Sequence, residues 1–396
     1  MVSHGETSPP GLTSALRTVR DPLLLFAVPM SFAVGSIVFG WLPAWGIGFD
    51  FVGTLWEPAR AVLEGGPIYP EPTRASIVVG NPAVYPPPAI LATVPLALLP
   101  EAVAAWIWFC VLGAGVVASM WMVGVRDWRC HALAVTSPIV VHGLVFGNLT
   151  VAIVVALAVA WRYREKARVV GFALGAAIAA KFFVWPLVAW LLLTRRFRAA
   201  AWAVGSAALL VVGAWALVGF EGFADYPALL NAVQDVYAIR SVSLGTVAGG
   251  VGASVSLAVA VCWLAGLALI GVAGLVAHRG DGDRRVFAIL VAASIVASPI
   301  VWPYYLALLL VPIAVTWPRL APMWFFGYAI SLVGMLTPRP RVDAQETCCR
   351  PAGVPEQAWA WSHTDPVPWF AGGVMGVVIA VTAVIVASRH RQLGAA

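Results

Sequence analysis

Residues 171–193 read GFALGAAIAAKFFVWPLVAWLLL, and Lys181 is the only charged side chain in that stretch. A helix needs about 20 apolar residues to cross the hydrocarbon of a bilayer, and somewhat fewer where protein rather than lipid surrounds it. The stretch therefore predicts two helices, over 169–181 and 184–194, that meet at a single charge. The rest of the chain repeats the pattern. Its 396 residues are 61% hydrophobic and 11% charged, with a mean hydropathy of +0.90. A soluble domain carries about 25% Asp, Glu, Lys and Arg, so this chain has too little charge to wet a globular surface. A soluble enzyme, a nucleic-acid-binding domain, a fibrous protein and a disordered chain are excluded. What remains is an all-α integral membrane protein, since lipid offers no partner to the open backbone groups of other structures.

Apolar runs place candidate spans at roughly 22–43, 101–124, 130–146, 149–162, 169–181, 184–194, 199–219, 253–277, 285–299, 301–316, 320–336 and 367–388. The run 86–99 is short and proline-rich, and reads as a half-helix dipping into the outer leaflet. Arg17 and Arg20 precede an apolar run too long for a cleavable signal peptide, which makes the first span a signal anchor. With about 12 crossings, the basic clusters at Arg126/Arg129, Arg162–Arg168, Arg195–Arg198, His278–Arg285, Arg319 and Arg389/Arg391 all fall on one side. Excess Lys and Arg mark the cytoplasmic side, and they also account for the net charge of +6 without any nucleic-acid partner. The expected organisation is a cytoplasmic tail (1–21), a polytopic bundle (22–388) and a second cytoplasmic tail (389–396), in the plasma membrane.

Three long loops, 44–86, 220–250 and 337–366, then lie outside. They hold eleven of the 18 acidic residues, so any chemistry is expected on the extracytoplasmic face. Cysteines add little: Cys110, Cys130 and Cys262 lie in or beside apolar runs as packing residues, and no pair has zinc spacing. Small residues over Ala173–Ala180 favour close helix packing.

Four places carry polar groups where they are costly or exposed to a substrate. Asp50 follows the first span and precedes a short amphipathic helix, Leu55–Glu64, which contains Glu57 and Arg60. Pro58 suits its first turn and Gly65-Gly66 its end. A carboxylate roofed by such a helix suits a general base acting on a hydroxyl; a solvated loop acid is the plainer reading. Lys181 suits a clamp for a lipid phosphate, or a side chain that snorkels to the interface. Ser298-Pro299 with Trp302, Tyr304 and Tyr305 reads either as a tight helical turn or as the mouth of a sugar or phosphate cavity. His142–Asn148 is an outward turn whose Asn148 either caps the next helix or touches a ligand. No Walker loop, dinucleotide fingerprint, HExxH or nucleophile elbow is present.

Taken in order, Asp50, the Ala61-Val62-Leu63-Glu64-Gly65-Gly66 run with Tyr69, Val84-Tyr85-Pro86-Pro87, Gly147-Asn148, Gly171–Lys181 with Pro186, Thr194–Arg198, and Ser298-Pro299 with Trp302 form a recognisable set. The set resembles the polyprenol-phosphate-mannose-dependent α-1,2-mannosyltransferases, glycosyltransferase family 87 of the GT-C superfamily. The composition associates it with actinobacterial-type members. The resemblance implies a GT-C-like helical bundle and an inverting transfer. Mannose would leave a polyprenyl-phosphate donor and arrive on a hydroxyl of a glycolipid or lipoglycan acceptor. Asp50 would be the catalytic base. Lys181, Trp302, Tyr304, Tyr305 and Tyr85 would bind the donor, and Glu57, Arg60, Tyr69, Asn148 and Arg240 would make acceptor or loop contacts.

Two positions depart from the family pattern. Tyr304 stands where a His is usual, and Arg240–Gly245 where a polar Asn-Gln-Ser run is usual. A tyrosine, with a reference pKa of about 10, brings no positive charge near neutral pH. No cofactor is implied; the outer carboxylates suit a divalent metal, but no ligand spacing singles out a site. Expected partners are the donor, the acceptor and the bilayer, with no nucleic acid. The competing readings are a lipid or glycolipid transporter, and a non-catalytic assembly subunit on the same fold.

Overall fold

The computed structural model describes residues 46–73, 76–77, 81–277, 282–336 and 368–388, together with residues 31 and 35. Apart from residues 31 and 35 the proposed first span lies outside these residues, as do the outer loop 337–366 with Cys348 and Cys349 and both tails. Among the described residues every regular element is helical.

Four helices are long and apolar enough to cross a bilayer: Glu101–Met122, Phe197–Leu217, Val255–Ala277 and Pro368–Ala387. At 20 to 23 residues each and about 1.5 Å per residue, they span about 30 Å or more. Only 22–39% of the residues in their most apolar windows are buried inside the protein, so most of their hydrophobic surface faces outward, as lipid contact requires. A fifth candidate is the pair Trp128–Thr136 and Pro138–Phe146, bent by 56°. The bend is where Pro138 begins the second helix after an extended Ser137, since the residue before a proline is pushed out of the helical region.

Other predicted spans within the described residues coincide with helices too short to count as candidate spans. Leu149–Arg162 and Ala167–Ala180 have 14 residues each, Gly282–Val296 has 15, and Phe326–Leu336 has 11. Residues 301–316 begin as a 3-10 helix, Pro303–Leu309, and continue as Leu310–Thr316. These segments form the interior. Every residue from Val286 to Val296 is buried, as is every residue from Tyr304 to Ala314. A helix wrapped in protein need not match the bilayer thickness, which is why hydropathy alone overstates their length. The run 86–99 is likewise an 11-residue helix, Pro87–Ala97.

The stretch around Lys181 packs as its small residues demand. Helix Ala167–Ala180 lies directly against Phe197–Leu217. A Cβ on Gly171 would sit 2.8 Å from Ala199 O, and one on Gly175 2.6 Å from Ala203 O. Only glycine lets the two backbones approach this closely.

Three of the basic loops meet at one end of these helices. Asp283 pairs with Arg196 at 2.8 Å and Arg164 at 3.1 Å, and accepts a hydrogen bond from Trp190 Nε1 at 2.7 Å. Arg196 also reaches Glu165 at 2.6 Å. Asn148 and Lys181 occupy the opposite ends of the same helices, about 20 Å away at 1.5 Å per residue.

Candidate active site

Asp50 begins a helical stretch that runs Phe49–Phe51, passes through a π-helical turn at Val52–Trp56, and continues as Glu57–Glu64. π-Turns are rare and favour functional positions. Thr54 Oγ1 donates back to Asp50 O, and the helix ends at Gly65 in the left-handed conformation with φ +70°. Helix Glu57–Glu64 packs on Pro87–Ala97, burying Leu55 and Ala59. Asp50 is 9% exposed beneath this cover.

Close approaches hold the Asp50 segment in place. Gly147 has φ +67°, and a Cβ there would lie 2.7 Å from Phe51 Cβ. Gly48 N donates to Val145 O at 2.7 Å, which ties the start of the loop to the same turn. On the other side a Cβ at Gly53 would lie 2.6 Å from Asn81 O; glycine there lets the Asn81 backbone approach closely enough for its side-chain amide to reach the carboxylate.

Three neutral groups hold the carboxylate. Asn148 Nδ2 donates to Oδ2 at 2.7 Å and Tyr304 OH donates to the same oxygen at 3.0 Å. Asn81 Nδ2 donates to Oδ1 at 3.1 Å and to Phe49 O at 3.1 Å. Burial raises the Asp50 carboxyl above its ordinary range, and the bonds from Asn148 and Tyr304 together with the charge of Lys181 pull it back in part. A carboxylate held by neutral donors in a dry site, rather than by a salt bridge, retains appetite for a proton.

Asn148 joins this carboxylate to Lys181. Its Oδ1 accepts from Thr150 N at 2.9 Å, capping helix Leu149–Arg162, and from Lys181 Nζ at 3.4 Å. Asn148 is therefore the cap of the next helix, and the same side chain bonds Asp50 and Lys181. Lys181 Nζ also donates to Thr150 Oγ1 at 2.8 Å and Tyr85 OH at 3.4 Å. It lies 4.2 Å from the ring centre of Tyr305, 5.1 Å from Tyr85 and 5.6 Å from Phe183, all within cation–π range.

Thus Asp50, Tyr85, Asn148, Lys181, Tyr304 and Tyr305, spread over 255 positions (50 to 305) of sequence, meet in one buried cluster. The other candidates sit around it. Tyr69 OH donates to Tyr85 O at 2.9 Å, and Tyr226 OH to Val84 O at 2.9 Å, so these two tyrosines fix the backbone that carries Tyr85. Trp302 meets Tyr237 edge-on at 6.1 Å. Arg60 pairs with Glu64 at 2.8 Å on the outer side of its helix. Arg240 lies in the turn after helix Tyr226–Tyr237, and Ser241 and Val242 beside it bond to Pro299 O and Val301 O. That contact joins the second long loop to the Ser298-Pro299 break. His142 packs its ring edge-on to Tyr304 at 5.1 Å.

Sequence reasoning missed Asn81, Thr150 and Phe183. No group of three or more His, Cys, Asp or Glu with metal-binding geometry occurs among the described residues. Cys130 and Cys262 are buried packing residues, while Cys110 is exposed.

The sequence model of glycosyltransferase family 87 matches residues 83–303, more than half of the chain. The chain belongs to glycosyltransferase family 87. It is a membrane-integral glycosyltransferase. The family match encloses Tyr85, Asn148 and Lys181, ends one residue before Tyr304, and leaves Asp50 outside; the hydrogen bonds above attach Asp50 to the family's segment. No curated protein and no solved structure matches this family member significantly.

Proposed function

We propose that this family 87 enzyme transfers mannose, or a related hexose, from a polyprenyl-phosphate donor to a hydroxyl of a glycolipid or lipoglycan acceptor, with inversion. Asp50 removes the proton of the attacking hydroxyl. The acceptor oxygen forms a bond to the anomeric carbon as the bond from that carbon to the phosphate oxygen breaks. The polyprenyl phosphate leaves with its charge against Lys181, and Tyr85 and Tyr305 flank that cation. The site faces outward from a plasma-membrane bundle of the GT-C type with about 12 crossings and both termini cytoplasmic.

The observation that carries this reading is the amide of Asn148, which bonds the Asp50 carboxylate on one side and the Lys181 ammonium on the other. A base and a cation set on one rigid bridge are what an acyl-free displacement at phosphate-activated carbon requires: one takes a proton, the other receives a leaving anion. Tyr304 supplies a neutral donor to the base and keeps it from being fixed in a salt bridge. In support, the basic loops converge on Asp283 at the opposite ends of the same helices, as an outward-facing site demands under the positive-inside rule.

The test is Asp50→Asn in purified protein reconstituted in vesicles with a polyprenyl-phosphate sugar and a glycolipid acceptor. Transfer is expected to fall by about 10²–10⁴-fold, the usual weight of a general base, with unchanged thermal unfolding. Retained transfer removes Asp50 as the base.

A further inference from the structure

A cavity lies across Asn81 from Asp50. It has a volume of about 530 Å³ and is lined by Phe49, Gly53, Glu57, Asn81, Glu101 and Trp106 among others, a size within the usual range for small-molecule sites. Asn81 is the partition: it lines the cavity and bonds Asp50 Oδ1 at 3.1 Å. Its two amide hydrogens are engaged with Asp50 and Phe49 O, which leaves its carbonyl oxygen for a ligand.

The chemistry of this cavity is opposite to that around Lys181. The Glu57 and Glu101 side chains have no hydrogen bond or ion pair to another described residue, and no Lys or Arg is among the described residues that line the cavity. Both residues are exposed; partial burial of its carboxyl, and then the neighbouring Glu101, push Glu57 up. Two carboxylates near one another repel an anionic ligand and accept hydrogen bonds from hydroxyls. Trp106 is 53% exposed, so much of its indole surface is open to a partner, and a sugar's C–H face fits such a surface. Trp106 stands on the Glu101–Met122 spanning helix near its first turn, which places the cavity at the edge of the bilayer.

We infer that this cavity receives the sugar headgroup of the lipid-linked acceptor, as a neutral polyhydroxylated ligand. Glu57, Glu101 and the Asn81 carbonyl bind its hydroxyls, and Trp106 packs its ring. The inference rests on the transfer reading above, because it is the position next to Asp50 that makes the ligand an acceptor. Asp50 thereby separates an anion-binding side at Lys181 from an anion-rejecting side at Glu57 and Glu101, and the two carboxylates set acceptor specificity.

Binding is measured with the full chain carrying Asp50→Asn in lipid nanodiscs, by saturation-transfer NMR. The probes are n-octyl mannoside, n-octyl glucoside, n-octyl glucuronide and methyl mannoside. The neutral octyl glycosides are expected to bind at least about tenfold more tightly than the glucuronide and the methyl glycoside. Trp106→Ala should weaken the neutral octyl glycosides about tenfold, and Glu57→Gln with Glu101→Gln should narrow the discrimination against the glucuronide. Equal or tighter glucuronide binding, no binding of any neutral octyl glycoside, or affinities unmoved by these substitutions overturn the assignment. Methyl mannoside binding as tightly as octyl mannoside overturns the lipid-linked part. In parallel transfer assays, donor KM should stay constant in the cavity variants while acceptor KM rises. Transfer with an unchanged acceptor KM sinks the cavity assignment alone. Failure of the protein with its native Asp50 to transfer from any polyprenyl-phosphate sugar sinks the parent reading.

Discussion

Asn148 and Asp50 are separated by 98 residues in sequence, and their Nδ2 and Oδ2 atoms by 2.7 Å. The same amide caps helix Leu149–Arg162 through its oxygen. Its orientation is therefore set by the helix, and the helix in turn aims the carboxylate. The proposed mechanism therefore couples stability and activity at this one side chain.

Replacing Asn148 separates the two roles. Asn148→Ala removes the cap and the bridge, and is expected to cost about 1 kcal/mol of stability along with most of the transfer rate. Asn148→Asp keeps a capping oxygen but sets a second carboxylate beside Asp50. Like charges raise a carboxyl's pKa, so the rise of activity with pH should move to higher pH while thermal unfolding stays near the parent. Unfolding curves and pH–rate profiles read the two effects independently.

The pH dependence of transfer follows from the burial of Asp50. In the proposed reaction Asp50 works only when deprotonated, and its carboxyl lies above the ordinary range. Activity should thus be lost as pH falls through that raised value, sooner than for a solvated aspartate. Tyr304→Phe deletes a hydrogen bond that favours the charged carboxylate, so the acid limb should shift upward again. An unmoved limb in this variant shows that Tyr304 does not act on the base.

Lys181→Gln keeps polarity and removes the charge. Hydrogen bonds to charged groups contribute about 1.5–3 kcal/mol, so donor KM is expected to rise roughly 10–100-fold. Acceptor KM should change little. Lys181→Arg is not expected to rescue, since the larger guanidinium, with its fixed fork of donors, does not reproduce the compact point charge of an ammonium. Steady-state kinetics with each substrate varied in turn decide the matter.

The helix contact beneath Lys181 should be intolerant of volume. Gly175→Val places side-chain atoms against Ala203 and Ser206 on Phe197–Leu217. Overpacking commonly costs about 1–3 kcal/mol, and the thermal transition in detergent should fall accordingly. An unchanged transition means that these two helices are free to separate.

Much of this arrangement was legible in the sequence because polar groups are conspicuous in an apolar chain. Asp50, Lys181 and Asn148 stood out for that reason, and the short helix ending at Gly65 was marked by its proline and glycines. Asn81 carried no such mark. It sits in an ordinary loop before Pro82, and only the missing side chain at Gly53 brings it to the carboxylate. Thr150 reads as a helix-first-turn residue until Lys181 is folded against it. Helix lengths were legible at the lipid-facing surface, where hydropathy measures the bilayer, and not in the interior. At Ser137-Pro138 and Pro303–Leu309 the backbone departs from a straight helix inside runs that are uniformly apolar.

The surroundings of Lys181 bear on turnover. Its charge is held by ring faces and neutral oxygens, not by a directly bonded carboxylate. In the proposed reaction an arriving phosphate would break no ion pair to a described residue in order to dock. By the same proposal no described carboxylate waits to displace the departing lipid phosphate, and its exchange with the next donor would depend on access from the bilayer.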